Sequence, residues 1–277
     1  MPELPEVETV RRILTKYVVG KTITDCQIFW NKIIKAPADS KTFIKEIVGQ
    51  KINQIDRMGK NLLFILDDYV LISHLRMEGK YFFTKKDELG EWQHIMVLFE
   101  LDHQFQLRYH DTRKFGTMHL YQKDEYLQQP PLNKLGYEPF DERITVAYLQ
   151  NAWQNKSQPI KTTLLEQNVI VGIGNIYANE ILFAAKIHPG ERTKNLTEED
   201  YQNIIDNTKL VIQKAIDEGG TTIATYHPEP GMDGKFSQQL KVHGRNNIEC
   251  VKCQNKVDKI FINGRGTYYC SHCQKLK

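Results

Sequence analysis

The chain has 277 residues, of which 40% are hydrophobic and 26% charged, and a net charge of +3. That length supports roughly two domains with real cores, and the composition excludes collagen-like, disordered and disulfide-scaffold classes. No apolar run reaches the ~18 residues of a membrane-crossing helix, and the acidic, amphipathic start is unlike a secretory signal, so a cytoplasmic location is expected.

The charge is uneven. Residues 241–277 hold eight Lys/Arg against two Asp/Glu, a local net of +6, while the other 240 residues net −3. A basic tail on a slightly acidic body suggests a polyanionic partner. Four of the five cysteines fall in the last 28 residues, which in a cytosolic chain reads as metal ligation rather than disulfides. Cys26 stands alone in a strand-like run and reads as a packed thiol.

The chain opens Met1-Pro2-Glu3-Leu4-Pro5-Glu6. If Met1 is removed, Pro2 carries a terminal secondary amine, and an α-amine has a pKa of about 7.7–8.0. Part of it is neutral and nucleophilic near neutrality. Attack on a sugar C1′ would give an iminium, cationic at every pH, with Glu3 and Glu6 near enough to move protons. The plainer alternative is a stable terminal residue followed by a helix that starts at Pro5. From Pro5 to about Tyr17, Val7, Val10, Ile13, Leu14 and Tyr17 form a helical stripe. Pro5 suits a first turn, and Glu6 suits its positive end.

From about Thr22 to Gln122 the pattern is of strands: 22–34, 51–57, 61–66, 70–75, 80–84, 95–101, 104–110 and 117–121. Their short, regular spacing predicts a β-sandwich or flattened barrel. Residues 133–142, with Gly136 and Pro139, read as a linker. Helices are expected over 144–154, 162–167, 176–186 and 197–218. Thr197 with Asp200 forms a capping-box start for the last, and Gly219-Gly220 a stop. A polar loop follows at 221–239, long enough to be functional or disordered. Tyr137 and the tryptophans are assigned to packing.

The chain closes with Cys250-x-x-Cys253 and Cys270-x-x-Cys273. Two such knuckles around a hairpin-length insert make a tetrahedral thiolate site for one structural zinc ion. The insert is strand-like on both sides of Gly264-Arg265-Gly266, too short for its own core, so the metal supplies folding energy. Arg265 at that tip reads equally as a phosphate contact or a solvated side chain.

Other motifs are weaker singly. Gly172-Ile173-Gly174-Asn175 precedes a helix and could seat an anion on its first amides, although an Asn N-cap explains it as well. In Asp111-Thr112-Arg113-Lys114-Phe115-Gly116, Arg113 and an exposed Phe115 would suit insertion into a base stack; a salt-bridged turn with a buried Phe is the alternative. Met58-Gly59-Lys60-Asn61 puts a lysine at a strand start, where solvation is the common fate. In His74-Leu75-Arg76-Met77-Glu78-Gly79, Met77 is either a loop tip or a core residue.

Taken together and in this order, Pro-Glu-Leu-Pro-Glu-Val-Glu, Met-Gly-Lys, Asp-x-Arg-Lys-Phe-Gly, Val-Gly-Ile-Gly-Asn-Ile-Tyr-Ala and the paired cysteines resemble formamidopyrimidine-DNA glycosylases, bacterial base-excision repair enzymes, over residues 1 to 277. The resemblance implies an α+β multidomain fold: an N-terminal helix and β-sandwich (1–132), a helical helix–two-turn–helix domain (133–240) and a zinc finger (241–277). It implies a monomer acting on double-stranded DNA with oxidised purines or abasic sites, bound in a cleft between the domains, in the cytoplasm and associated with the nucleoid. By the same resemblance Pro2 is the nucleophile that expels 8-oxoguanine or a formamidopyrimidine, Glu3 the general acid/base, and Glu6 its support. Lys60 and Arg265 hold phosphates and assist β- and δ-elimination. Asn175 and its neighbouring amides clamp a phosphate, with Lys156 and Lys161 as further candidates. Met77, Arg113 and Phe115 fill the place of the flipped base, and the 221–239 loop closes over that base, whose extrusion costs a few kcal/mol.

The chain departs from the family's common forms at Thr112 and Lys114, at Arg76 and Glu78, and at Trp92-Gln93-His94 where a His-x-His pair is usual, which bears on a DNA contact by His94. Two rivals share features with this reading. An endonuclease VIII-like glycosylase has the same architecture and prefers oxidised pyrimidines, but Leu4, Arg113 and Phe115 favour the purine enzyme. A non-catalytic zinc-ribbon DNA binder leaves Pro2-Glu3 without a role.

Overall fold

The structure is a computed structural model that describes residues 2–88, 93–221 and 235–277. The described chain forms two compact units. One contains Pro2 and Glu6–Asn133; the other contains Glu3–Pro5, Lys134–Thr221 and Lys235–Lys277. The finger therefore folds with the helices, and residues 3–5 belong with the second unit although residue 6 begins the first again.

In the first unit α1 (Leu4–Val18) buries Val7, Val10, Leu14 and Val18 in the core, as its stripe requires. Glu8, on the flank, binds Arg11 and Arg12 one turn on and Arg57. Burial alone would push the Glu8 carboxyl up, but these three guanidinium groups hold it down at about 2. The strands are β1 (Ile23–Ile28), β2 (Ile34–Ala36), β3 (Gln54–Met58), β4 (Asn61–Ile65), β5 (Tyr69–His74), β6 (Lys80–Lys85), β7 (Ile95–Leu101), β8 (Phe105–His110) and β9 (Thr117–Gln122). They make a four-stranded sheet, β1-β7-β8-β6, and a five-stranded sheet, β2-β9-β5-β4-β3. The two sheets share one core that includes Ile55, Phe64, Leu71, Val97, Phe99, Leu107 and Leu120, the two-layer sandwich expected. Cys26 is buried in it, and burial pushes its thiol up to about 12.

Two details differ from the strand pattern. Residues 22–34 are not one strand: a 3₁₀ turn over Asn31–Ile33 breaks them, and β2 pairs parallel to β9 in the other sheet. A helix, α2 (Ser40–Ile47), sits where none is predicted. Its signals are present: Asp39 caps it by accepting the Thr42 N–H at 3.0 Å, and Phe43 and Ile47 are buried four residues apart. Eight residues between strands are too few for periodicity to stand out.

The second unit holds α3 (Val146–Trp153), α4 (Ile160–Leu165), α5 (Asn175–Ala184) and α6 (Glu198–Asp217). Trp153, Tyr177, Ile181, Ile204 and Ile212 are among its core. The Thr197–Asp200 capping box is formed in both directions, as expected. The expected linker is instead pinned down: Tyr137 N–H donates to Val169 O and Val171 N–H to Tyr137 O, both at 3.0 Å. Part of the expected 221–239 loop, Lys235–Gln239, is a 3₁₀ turn with Phe236 buried against Tyr177; residues 222–234, where closure over a base was expected, lie outside the described residues, as does Trp92. The chain ends in a hairpin of β10 (Asp258–Ile262) and β11 (Arg265–Tyr269). No helix among the described residues is long and apolar enough to cross a membrane.

Candidate active site and zinc centre

In the second unit the Gly-x-Gly-Asn turn is occupied by the chain's own beginning. Leu4 N–H donates to Gly172 O at 3.1 Å, and the Leu4 side chain is fully buried in the helical core. The Glu3 carboxylate accepts N–H groups from Gly174 (2.7 Å), Ile176 (2.8 Å) and Tyr177 (3.3 Å). These amides at the start of α5 have no carbonyl one turn back to bond, and the aligned peptide dipoles there favour a negative charge. Both glycines are explained by space. A Cβ on Gly174 would lie 2.3 Å from Glu3 Cδ, and one on Gly172, whose φ is +87°, would lie 2.4 Å from a Leu4 methyl. The anion expected at these amides as a phosphate is thus Glu3 itself. Asn175 is not the N-cap either; Gly174 is, and Asn175 is the first helical residue.

Asn175 and Lys161 both reach the zinc hairpin. Asn175 Nδ2 donates to Gly266 O at 3.1 Å, and Lys161 Nζ donates to the same carbonyl at 3.0 Å and to Thr267 Oγ1 at 2.7 Å. Lys161, expected on a DNA-facing surface, is completely buried. Burial, reinforced by the charge of Arg265 and opposed by that of Glu3, lowers its ammonium to about 8. It braces the hairpin and cannot meet a phosphate without leaving that place. Asn263 Nδ2 adds a third brace to Thr162 Oγ1 at 2.9 Å. Arg265 is exposed, but it opens β11 rather than capping the turn; Asn263 and Gly264, both at positive φ, make the two-residue turn. Lys156 is ion-paired with Glu166, whose other oxygen accepts from Gln158.

In the first unit Pro2 is half-buried and Glu6 buried in the first turn of α1. Lys60, the expected phosphate contact at a strand start, lies in the β3–β4 turn and is buried rather than solvated. His74, opposite Asn61 on β5, accepts the Arg76 N–H on Nδ1 at 3.0 Å. Burial, with Arg76, Lys60 and His119 nearby, drives its pKa down to about 3, so it is a neutral imidazole. The Asp111–Gly116 loop holds an exposed Phe115 (52%) with the Arg113 guanidinium 4.8 Å from its ring centre. The alternative of a salt-bridged turn over a buried Phe is excluded: buried Asp111 accepts main-chain N–H groups from Arg113, Phe115 and Gly116 at 2.7–3.0 Å. Asp111 N–H donates to the carbonyl of His94, whose side chain is exposed. Met77 is part-exposed on a neighbouring turn. Buried Tyr109 sits under both loops: a Cβ on Gly79 or Gly116 would lie 2.1 Å or 1.9 Å from its hydroxyl.

Cys250, Cys253, Cys270 and Cys273 bring their sulfurs within 4.8 Å of one another. Tetrahedral Zn–S bonds of ~2.3 Å require sulfurs ~3.8 Å apart, and the 3.9 Å and 3.4 Å separations of Cys250–Cys273 and Cys253–Cys270 fit one zinc ion. Phe183, Val242 and Val257 shield the cluster.

Comparison with known proteins agrees with this geometry. The models of the formamidopyrimidine-DNA glycosylase N-terminal domain, its H2TH domain, and the zinc finger found in FPG and IleRS match residues 1–118, 135–227 and 248–276. A formamidopyrimidine-DNA glycosylase of Shouchella clausii is 47% identical, with 99% of each chain covered. Crystal structures of Lactococcus lactis Fpg are similar as well. A mutant in complex with Fapy-dG containing DNA superposes with a TM-score of 0.92 at 39% identity, covering 99% of this chain and 100% of that one. The protein with abasic-site DNA gives 0.91 at 38%, covering 99% of each. The chain belongs to the formamidopyrimidine-DNA glycosylase family. Membership gives three further residues of the first unit a context. Asp111, Tyr109 and His74 were not singled out from sequence as site residues, yet each shapes a loop or turn of the glycosylase motifs. The sequence signal for Asp111 and His74 is their position inside those motifs, whereas Tyr109 lies outside them.

Proposed function

We propose that the chain is a bifunctional DNA glycosylase and abasic-site lyase that removes oxidised purines, 8-oxoguanine and formamidopyrimidines, from double-stranded DNA. After loss of Met1, the Pro2 amine attacks C1′ of the damaged nucleotide, the base leaves with the glycosidic electron pair, and the sugar ring opens to an iminium. Glu3 is the acid/base of these steps. Its three main-chain donors favour the carboxylate, so it begins as a base that takes the proton released by Pro2. The iminium acidifies the C2′ hydrogens, and loss of a proton expels the 3′ phosphate; a second elimination expels the 5′ phosphate. Lys60 and Arg265 bind the flanking phosphates and assist those departures, with Glu6 supporting the terminus. Asn175 and Lys156 contribute to phosphate binding, whereas Lys161 acts by holding the hairpin under Arg265. Met77, Arg113 and Phe115 occupy the vacated stack, with His94 beside their loop. One zinc ion, bound by the four cysteines, fixes the finger's fold.

The observation that carries this reading is the Glu3 carboxylate seated on the α5 amides, one residue from Pro2. Borohydride reduction during reaction with abasic duplex DNA tests it. A covalent protein–DNA adduct is expected and should vanish in Pro2→Gly. No adduct from the intact chain would favour the zinc-ribbon binder, and active protein that retains Met1 would sink the mechanism. Excision rates on oxidised-purine and oxidised-pyrimidine duplexes separate this substrate class from the endonuclease VIII-like one.

A further inference from the structure

The second unit also contains a cavity of about 300 Å³ that the glycosylase residues do not use. Its walls are Phe183 and Ala184 of α5, Leu210 and Val211 of α6, and Phe236 of the 3₁₀ turn. Asn207, Leu210, Val211 and Lys214 recur at i, i+3, i+4 and i+7, so two turns of one face of α6 line it. Leu210 is 64% exposed, although it lies on the apolar side of that face.

The rim is cationic. Lys214, Lys241 and Lys252 come from three separate segments, and the Lys252 ammonium stands 4.8 Å from the Phe183 ring centre. Glu180 is the acidic residue of the lining, and of the three lysines Lys241 acts on its charge. Its carboxyl is buried and accepts the main-chain N–H groups of Lys241, Val242 and His243 at 2.8–3.0 Å. Burial pushes that carboxyl up, and its hydrogen bonds go to main-chain groups, which leaves Lys214 and Lys252 for a ligand.

We propose that this cavity is an accessory binding site for a small amphipathic anion, an aromatic or medium-chain acyl body carrying one carboxylate or sulfonate. The apolar walls desolvate the body, and the Lys214 and Lys252 ammonium groups receive the head. The volume sits at the lower bound of small-ligand pockets, and it takes a bicyclic aromatic body rather than a folded domain. The site has a route to the catalytic region within the same unit. Phe236 contacts Tyr177 at 5.8 Å between ring centres, and the Tyr177 N–H donates to Glu3. The site does not depend on the chemistry proposed above.

The probe is 8-anilinonaphthalene-1-sulfonate, titrated by fluorescence into the zinc-loaded full chain. One saturable site is expected with a Kd on the order of tens of micromolar, the value ordinary for a ligand of that size. Leu210→Asp, at an exposed position, should weaken binding by roughly tenfold through lost apolar contact and like-charge repulsion. Lys214→Glu should weaken it several-fold and reduce its salt dependence. Excess duplex with an abasic analogue should leave the signal in place. Non-saturable binding, an unchanged Kd in both variants, or displacement of the probe by the duplex would each overturn the proposal. Should Leu210→Asp fold poorly in a circular-dichroism melt, Lys214→Glu decides alone, because that side chain is solvent-exposed.

Discussion

Glu3 and Asp111 are both buried carboxylates that accept three main-chain N–H groups, but they draw them from different places. Asp111 takes its three from residues two, four and five positions ahead, within its own loop. Glu3 takes them from residues 174, 176 and 177, at the start of α5. The first is a turn that a short peptide can encode. The second exists only once α5 and its core have formed, so it transmits the integrity of the helical unit directly to the residue beside Pro2. A local carboxylate shapes a loop that presents exposed side chains. A distant one fixes the residue next to Pro2.

Breaking the distant seat should have the largest effect. Gly174→Ala places a methyl where Glu3 Cδ stands, and excision should slow by about a hundredfold, as expected for ångström-scale misplacement of a catalytic group. The melting temperature should change much less than that loss implies; a wild-type rate would break the assignment of the seat. Asp111→Ala should mirror this on the local side. It removes the acceptor of three main-chain N–H groups, of which that of Gly116 is buried, and should cost about 1–3 kcal/mol in denaturant unfolding, together with weaker duplex binding. An unchanged midpoint would mean that the loop holds itself by other contacts.

Cys250→Ser sharpens the contrast from a third direction. Loss of zinc should loosen the hairpin on which Lys161 and Asn175 act and weaken DNA affinity by about tenfold; unchanged affinity after verified zinc loss would refute a role for Arg265. A pH titration reads the support beneath α1. The lowered Glu8 pKa contributes stability that is present above about 4.5 and is lost as pH falls toward 2. Thermal melts of Glu8→Gln and the parent chain should therefore converge across that window, with a difference of roughly 1–2 kcal/mol above it after solvent screening. Phe115→Ala should do least to stability, under about 0.5 kcal/mol for so exposed a ring, while slowing excision from duplex more than from a single strand. Equal slowing on both would remove Phe115 from the stack-filling role.

What was legible in the sequence follows the same division. The α1 stripe, the sandwich strands apart from the broken 22–34 segment, the Thr197–Asp200 box and the cysteine knuckles are patterns over a few residues, and they appear in the fold. Helix α2 was missed because its eight residues carry too little periodicity between strands. The resemblance makes Lys60 and Lys161 phosphate contacts, and lysine is seldom buried, so nothing in the sequence points to their burial. Only the hairpin, through the Gly266 carbonyl and the Thr267 hydroxyl more than a hundred residues on, gives Lys161 a reason to be inside.

By itself the sequence determined the family, the two kinds of secondary structure and the zinc ligands, because period, spacing and residue chemistry are properties of short segments. Tertiary structure alone decided which anion the α5 amides hold, which lysines leave solvent, and which carbonyl braces the hairpin. Those outcomes depend on who occupies a space first, and a linear pattern carries no record of the competitor.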